Sequence, residues 1–234
     1  MDLSLFALAV APGIAIAVYV YFRDRYEREP LRLLVLTYVA GFLAVIPAAL
    51  IEFLLSSPLT GTVRLWDLAV RNFLVVGLTE EGMKFLALML LAYRNAEFNE
   101  PFDGIVYAGM ISMGFATAEN ILYVLSGGWV TAVARMFTAV PAHASFSILM
   151  GYFVGLEKFG NRGGRYLALG LATAVLFHGL YDLFLSLNDL WLIFGGAFAS
   201  LAVGVHFSFR AMSLLNEHSP FRYSTVVRRR ERKE

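Results

Sequence analysis

An all-α integral membrane protein, a bundle of about seven transmembrane helices, is the fold this sequence predicts, and three observations carry it. Only 16% of the 234 residues are charged and 59% are hydrophobic, whereas an ordinary soluble domain carries about 25% charged residues. The apolar residues gather in runs that reach the roughly 20 residues a helix needs to cross a bilayer core. Lysine and arginine crowd onto alternate connections between those runs, the bias that fixes orientation in a membrane.

Each run reads as a helix because backbone in lipid must satisfy its own hydrogen bonds. The alternating ten-residue strands of a barrel do not occur. The predicted spans are residues 3–22, 31–55, 66–93, 104–125, 130–156, 166–187 and 190–215. The first lacks the basic n-region of a signal peptide, so it is expected to be a retained span. Short connections such as Ser126-Gly127-Gly128 and Asn188-Asp189 predict antiparallel neighbours. Trp66, Trp129 and Trp191 fall at one set of span ends, as an aromatic belt requires.

The connections after spans one, three, five and seven, with their edges, hold Arg23, Arg25, Arg28, Arg32, Arg94, Lys158, Arg162, Arg165, Arg210, Arg222 and five basic tail residues. The opposite side holds only Arg64. This places the N-terminus outside and the C-terminus in the cytoplasm of a cell membrane. Residues 1–222 then form one polytopic domain, and 223–234 a basic cytoplasmic tail that anchors topology or meets anionic lipid. The tail is too short and too close to the bilayer for nucleic-acid binding. With no cysteine, disulfides, thiolate ligands and a cysteine nucleophile are excluded.

The polar residues inside the spans carry the functional signal, because a charge at the bilayer centre costs about 2.5–3.5 kcal/mol even on insertion scales. Glu80, Glu81, Lys84, Glu119, His143, His178 and Asp182 all lie in apolar runs. At about 1.5 Å per residue, Glu80 and Glu81 sit roughly 21 Å from the outer end of their span, and His143 roughly 20 Å. Glu119 and His178 rise roughly 22 and 18 Å from the opposite side. Four helices thus bring acids and imidazoles to overlapping depths.

Spacing assigns faces. Lys84 is four residues from Glu80 and three from Glu81, so it can pair with either and leaves the other carboxylate less compensated. His178 and Asp182 are four apart, and such an Asp can fix a His tautomer. Asn120 and Tyr181 adjoin this set as hydrogen-bond donors for a developing oxyanion. Pro141 can kink its helix and free a carbonyl near His143. Glu52, Asp67, Arg71, Arg135 and His206 read as span-end, pairing or snorkelling residues.

Four motifs in order resemble a known family. Glu80-Glu81-Gly82-Met83-Lys84, Phe115-Ala116-Thr117-Ala118-Glu119-Asn120, His143, and His178-Gly179-Leu180-Tyr181-Asp182 are similar to the PrsW family of intramembrane proteases, distant relatives of the CAAX prenyl proteases. Glu119 stands where the prenyl proteases usually carry His, so the likeness is to the PrsW side. The resemblance implies an endopeptidase that cleaves a membrane-anchored, single-span protein, with an anti-sigma factor-like regulator as the type of substrate. It carries catalytic roles onto Glu80, Glu81, His143 and His178, with Lys84, Glu119, Asn120 and Asp182 supporting. One glutamate would activate water, and the histidines would stabilise the oxyanion or protonate the leaving amine. A metal is not required by this scheme; if one is present, zinc on His143, His178 and Glu119 is the expected set. The rival readings are a proton-coupled transporter, built from similar acid and histidine chains, and a non-catalytic membrane scaffold.

Overall fold

The computed structural model describes residues 2–56, 64–160, 162–187 and 189–223. The basic tail beyond Tyr223 and the predicted turn residue Asn188 lie outside the described residues. Among those described, all regular structure is helical: α1 (Leu3–Arg23), α2 (Leu31–Leu55), α3 (Leu65–Val70), a wide π-helical segment (Arg71–Gly77), α4 (Leu78–Leu91), α5 (Pro101–Phe137), α6 (Ala139–Gly160), α7 (Arg165–Leu185), α8 (Leu190–Leu192), a second π segment (Ile193–Ala197) and α9 (Phe198–Glu217).

Five stretches are long and apolar enough to cross a membrane: Leu3–Arg23, Leu31–Leu55, Pro101–Gly160, Arg165–Leu185 and Leu190–Glu217. The chain is a multi-pass membrane protein. The predicted third span, residues 66–93, is helical over 65–91 but carries Asp67, Arg71, Glu80, Glu81 and Lys84, and is not among the five. The long α5–α6 stretch does not run straight. Gly128 has φ 64° and ψ −152°, a conformation that a residue with a Cβ rarely adopts. The helix path breaks there, at the predicted Ser126-Gly127-Gly128 connection. A second break follows at Thr138 (φ −123°, ψ −77°). Pro141, three residues later, lacks the N–H that would bind the carbonyl of Phe137.

The two arms return along each other. A Cβ on Gly104 would lie 2.8 Å from the backbone nitrogen of Gly155, so the start of α5 touches the end of α6 backbone to backbone. Small residues permit such approach where lipid gives no hydrophobic drive to association. Midway, Ser112 Oγ donates to the His143 carbonyl at 2.8 Å.

This hairpin is the core. Most of Pro101–Gly160 is buried, whereas about a third or less of each other long apolar stretch is, and these stretches expose large side chains such as Ile46, Phe53 and Trp191. The outer helices are fastened to it by polar contacts. Asn120 Nδ2 donates to the Ala9 carbonyl of α1 at 2.8 Å. Tyr38 of α2 meets Thr117 at 2.7 Å. Ser208 of α9 donates to the Ser145 carbonyl at 2.8 Å. The π segment is tied to the end of α7 by Asn72 Nδ2 and Ser186 Oγ, 3.1 Å apart.

Candidate active site

Glu80 and Glu81 stand in the first turn of α4, three residues after a π segment. Each wide turn re-phases the residues that follow by about 100°, and such turns cluster at functional sites. Here they aim the glutamates at α6 and α7. Both are buried, as are Lys84, His143 and His178.

Lys84 is the hub. Its ammonium lies 2.7 Å from Glu81 Oε1, 2.9 Å from His143 Nδ1 and 3.5 Å from Glu80 Oε2. It also sits 4.3 Å from the centre of the Phe115 ring, within cation–π reach. An ammonium has only protons to offer. Nδ1 of His143 therefore accepts, and Nε2 carries the hydrogen that is donated to Glu119 Oε2 at 2.7 Å. Glu119 is itself held by Arg135 Nη2 at 2.9 Å.

His178 sits between two carboxylates, with Nδ1 2.9 Å from Glu81 Oε1 and Nε2 3.2 Å from Asp182 Oδ2. Both of its nitrogens thus face acceptors. The imidazoles meet edge to face, with centroids 5.2 Å apart. Glu80 Oε2 closes the figure, 3.9 Å from His143 Nδ1 and 3.8 Å from His178 Nε2.

The two glutamates are not equivalent. Glu81 is fully buried and committed to Lys84, His178 and Ser147. Glu80 faces a cavity of about 780 Å³ that is also lined by Glu119, His143, His178, Tyr181 and Asp182. That volume falls within the range of small-molecule and peptide sites.

Two sequence expectations differ from this geometry. Asn120 was assigned a supporting role near the oxyanion. Instead it is fully buried, and both ends of its amide are engaged, Nδ2 with Ala9 and Oδ1 with Arg135 Nε at 2.9 Å. It fastens helices and holds the Arg135 fork. For a metal, the three donors that come within 4.8 Å of one another are Glu80, His143 and His178. Glu119, expected as the third ligand, stands behind His143 on Nε2.

Sequence reasoning also left three cavity-lining residues at the membrane edge: Glu52, Arg71 and Arg135. The signal for Arg135 was its place inside an apolar run, where a cation needs a partner. No helical spacing links it to Glu119, because the chain reverses between them.

Comparison with known proteins agrees with the four motifs. A family model described as "PrsW family intramembrane metalloprotease" matches residues 29–219. The chain is 39% identical to Protease PrsW of Geobacillus kaustophilus (strain HTA426) over 83% of its own length and 85% of the relative's. It is 34% identical to Protease PrsW of Bacillus subtilis (strain 168), covering 82% and 87%. It is 35% identical to that of Clostridioides difficile (strain 630), covering 82% and 84%. No solved structure matches the chain. With the family model spanning most of the sequence and relatives of this similarity aligned nearly end to end, the chain belongs to the PrsW family of intramembrane proteases.

Proposed function

We propose that this protease hydrolyses a peptide bond of a single-span, membrane-anchored protein, an anti-sigma factor-like regulator in type, with Glu80 at the reacting end of the site. The observation that carries this is the position of Glu80 Oε2, under 4 Å from both imidazoles and in the wall of the cavity. Water held there has a carboxylate to take its proton and two rings to complete the polar frame. General acid–base help of this kind contributes about 10²–10⁴-fold.

The other residues have distinct tasks in this reading. Glu81 anchors Lys84 and fixes His178 through Nδ1. Glu119, braced by Arg135, fixes His143 through Nε2. His178, whose Nε2 lies on the side of Glu80, stabilises the oxyanion and returns a proton to the leaving amine; His143 joins it once Lys84 passes a proton to its Nδ1. Lys84 balances the buried negative charge, since two adjacent carboxylates in lipid would otherwise repel.

The family description implies a metal, which our residue-only scheme does not require. The donor set fits one. Glu80 with two histidines is a zinc-type combination, and each ring's far nitrogen meets a carboxylate, Glu119 or Glu81, as metal-bound histidines typically do. An ion held by Glu80, His143 and His178 would supply Lewis acidity and a more acidic water. For both rings to bind it, Lys84 would have to release Nδ1 of His143 and Asp182 would have to release Nε2 of His178. In either form, Glu80 is indispensable.

For topology we propose seven spans, with the N-terminus outside. The reversal at Gly128 supports this by dividing the 60-residue run into two passes, and residues 65–91 supply another. The polar site then lies between the midplane and the outer surface.

The test is cleavage of candidate single-span substrates by the purified protein, comparing wild type with Glu80→Gln, Glu81→Gln and His178→Ala, with and without chelator. Loss of cleavage in the variants supports the proposal. Chelator sensitivity reversed by zinc assigns the metal form, and insensitivity assigns the residue-only form. Undiminished cleavage in all three variants would remove the mechanism.

A further inference from the structure

A second group of buried acids lies at the other end of the α5 pass, far from the cavity. Asp24 ends α1, Glu29 precedes α2, and Asp103 lies in the first turn of α5. Their exposures are 2%, 2% and 0%. One oxygen from each lies within 4.8 Å of the others. That is about twice the 2.3–2.6 Å distance at which oxygen binds Ca²⁺.

The second observation is what these oxygens lack. Asp24 Oδ2, Glu29 Oε1 and Asp103 Oδ1 are buried with no hydrogen-bond partner, and so are oxygens of Glu27 and Glu100 beside them. The opposite oxygens are used. Asp103 Oδ2 accepts from the backbone N–H groups of Asn99 and Glu100 at 2.7 and 2.8 Å, and Glu29 Oε2 accepts from Tyr107. These bonds hold the carboxyl groups of Asp103 and Glu29 in place and leave each with one unpartnered oxygen. Among the described residues, none of the five acids has a Lys, Arg or His nitrogen within 4 Å. The nearby ammonium of Lys158 sits 4.2 Å from the Phe98 ring centre. Arg28 lies over the rings of Tyr21 and Phe22. A buried carboxylate with no donor is costly, and here three share one point.

We propose that Asp24, Glu29 and Asp103 bind a hard divalent cation of the Ca²⁺ or Mg²⁺ class. The donors are all oxygen, with no imidazole or sulfur, which favours these ions over zinc. The ion would join the α1–α2 connection to the start of α5. The neighbouring contact of Asn216 Nδ2 with the Arg23 carbonyl, at 3.1 Å, extends the clasp to the end of α9. Its work is structural, closing one end of the bundle while the chemistry occupies the other.

Terbium(III), an oxygen-seeking ion of nearly Ca²⁺ size that emits when excited through a nearby tyrosine, tests this directly because Tyr107 touches Glu29. The full-length protein in detergent, stripped of divalent ions, should give sensitised emission that Ca²⁺ or Mg²⁺ displaces. The better competitor identifies the natural class. Emission should fall at least about tenfold in Asp24→Asn and Glu29→Gln, variants that lower charge repulsion and so fold, and should persist in His178→Ala. In parallel, Ca²⁺ or Mg²⁺ at about a hundredfold excess over its dissociation constant should raise the wild-type melting temperature by about 5–10 °C, and not that of the two cluster variants. The proposal is overturned if emission is absent, survives in both cluster variants, or disappears in His178→Ala. It is equally overturned if neither ion shifts the wild-type melt up to about 10 mM, about tenfold above the dissociation constants of the weakest protein Ca²⁺ sites. Protons would then be what bridges the oxygens.

Discussion

The first pass of α5 carries an acid at each end, the buried Asp103 and the partly buried Glu119, separated by about 24 Å of helix, and the two are surrounded in opposite ways. Around Glu119, among the described residues, four of the five nearby acids have a basic partner within 4 Å, Glu52 being the exception: Lys84 for Glu80 and Glu81, Arg135 and His143 for Glu119, His178 for Asp182. Around Asp103 the acids face one another. The first cluster is nearly complete in its own side chains and opens on a cavity. The second is buried and, among the described residues, has no basic nitrogen within 4 Å. Burial of carboxylates alone therefore does not mark a catalytic site. What marks it is interleaved acid and base beside a space that a substrate can enter.

The largest test of this contrast is at the cavity. Glu80→Gln should lower cleavage by about 10²–10⁴-fold while leaving the melting temperature close to wild type, because Lys84 keeps its 2.7 Å contact with Glu81. A variant that cleaves normally would show that Glu80 is only part of a buried ion pair.

Next comes the brace behind His143. Arg135→Met leaves Glu119 with one partner. Removing half of a buried pair costs about 3–5 kcal/mol; with both side chains 15% exposed, about 2–3 kcal/mol is expected in a denaturation series. Adding Glu119→Leu should restore most of that stability but not cleavage, since His143 then loses its orienting carboxylate. Recovery of both would mean that the Glu119 contact does not matter to catalysis. A smaller effect is expected from Asp182→Asn, about tenfold in kcat with little change in KM, the usual scale for a group that orients a functional histidine. A change confined to KM would place Asp182 in substrate binding instead.

Much of the cavity-side cluster is visible in the sequence because helical spacing is local. Glu80 with Lys84, and His178 with Asp182, share faces by arithmetic alone, and apolar runs set their depths. The turn at Gly128 is likewise a local glycine signal. What escaped depends on distant partners. Asn120 reads as a site residue until α1 presents the Ala9 carbonyl to it, 111 positions away in sequence. Arg135 meets Glu119 only because the hairpin closes, and Glu52 reaches the cavity only through the packing of α2. The acid cluster was invisible for the same reason. Asp24, Glu27 and Glu29 look like the solvated charges of a turn, and nothing in their spacing shows that Asp103 and Glu100 arrive from another helix to bury them.

The smallest expected effect is a pH response that the two clusters do not share. Burial, with Glu100 and Asp103 alongside, pushes Asp24 up to about 8. Burial, with Asp103, Glu27 and Asp24 nearby, pushes Glu29 up to about 10, and burial raises Glu100 to about 7. The ordinary values are 3.8 for Asp and 4.5 for Glu. The charged groups facing them are Glu27 in the connection, Asp103 on α5 and Lys158 on α6, so acids outnumber bases. Folded carboxyls then hold protons that unfolded ones release. The contribution of this cluster to stability without divalent ions is greatest below about pH 4 and falls as pH rises through 7 and 8 towards 10. Between about pH 5.5 and 8.5 the ion-free melting temperature should drop by at least about 2–4 °C, the shift that 1 kcal/mol produces in a chain of this size. Saturating Ca²⁺ or Mg²⁺ should flatten that slope, because the ion takes the place of the protons. A slope that ignores the ions, or that persists unchanged in Glu29→Gln, would place the pH response elsewhere and leave the two clusters less different than their geometry makes them.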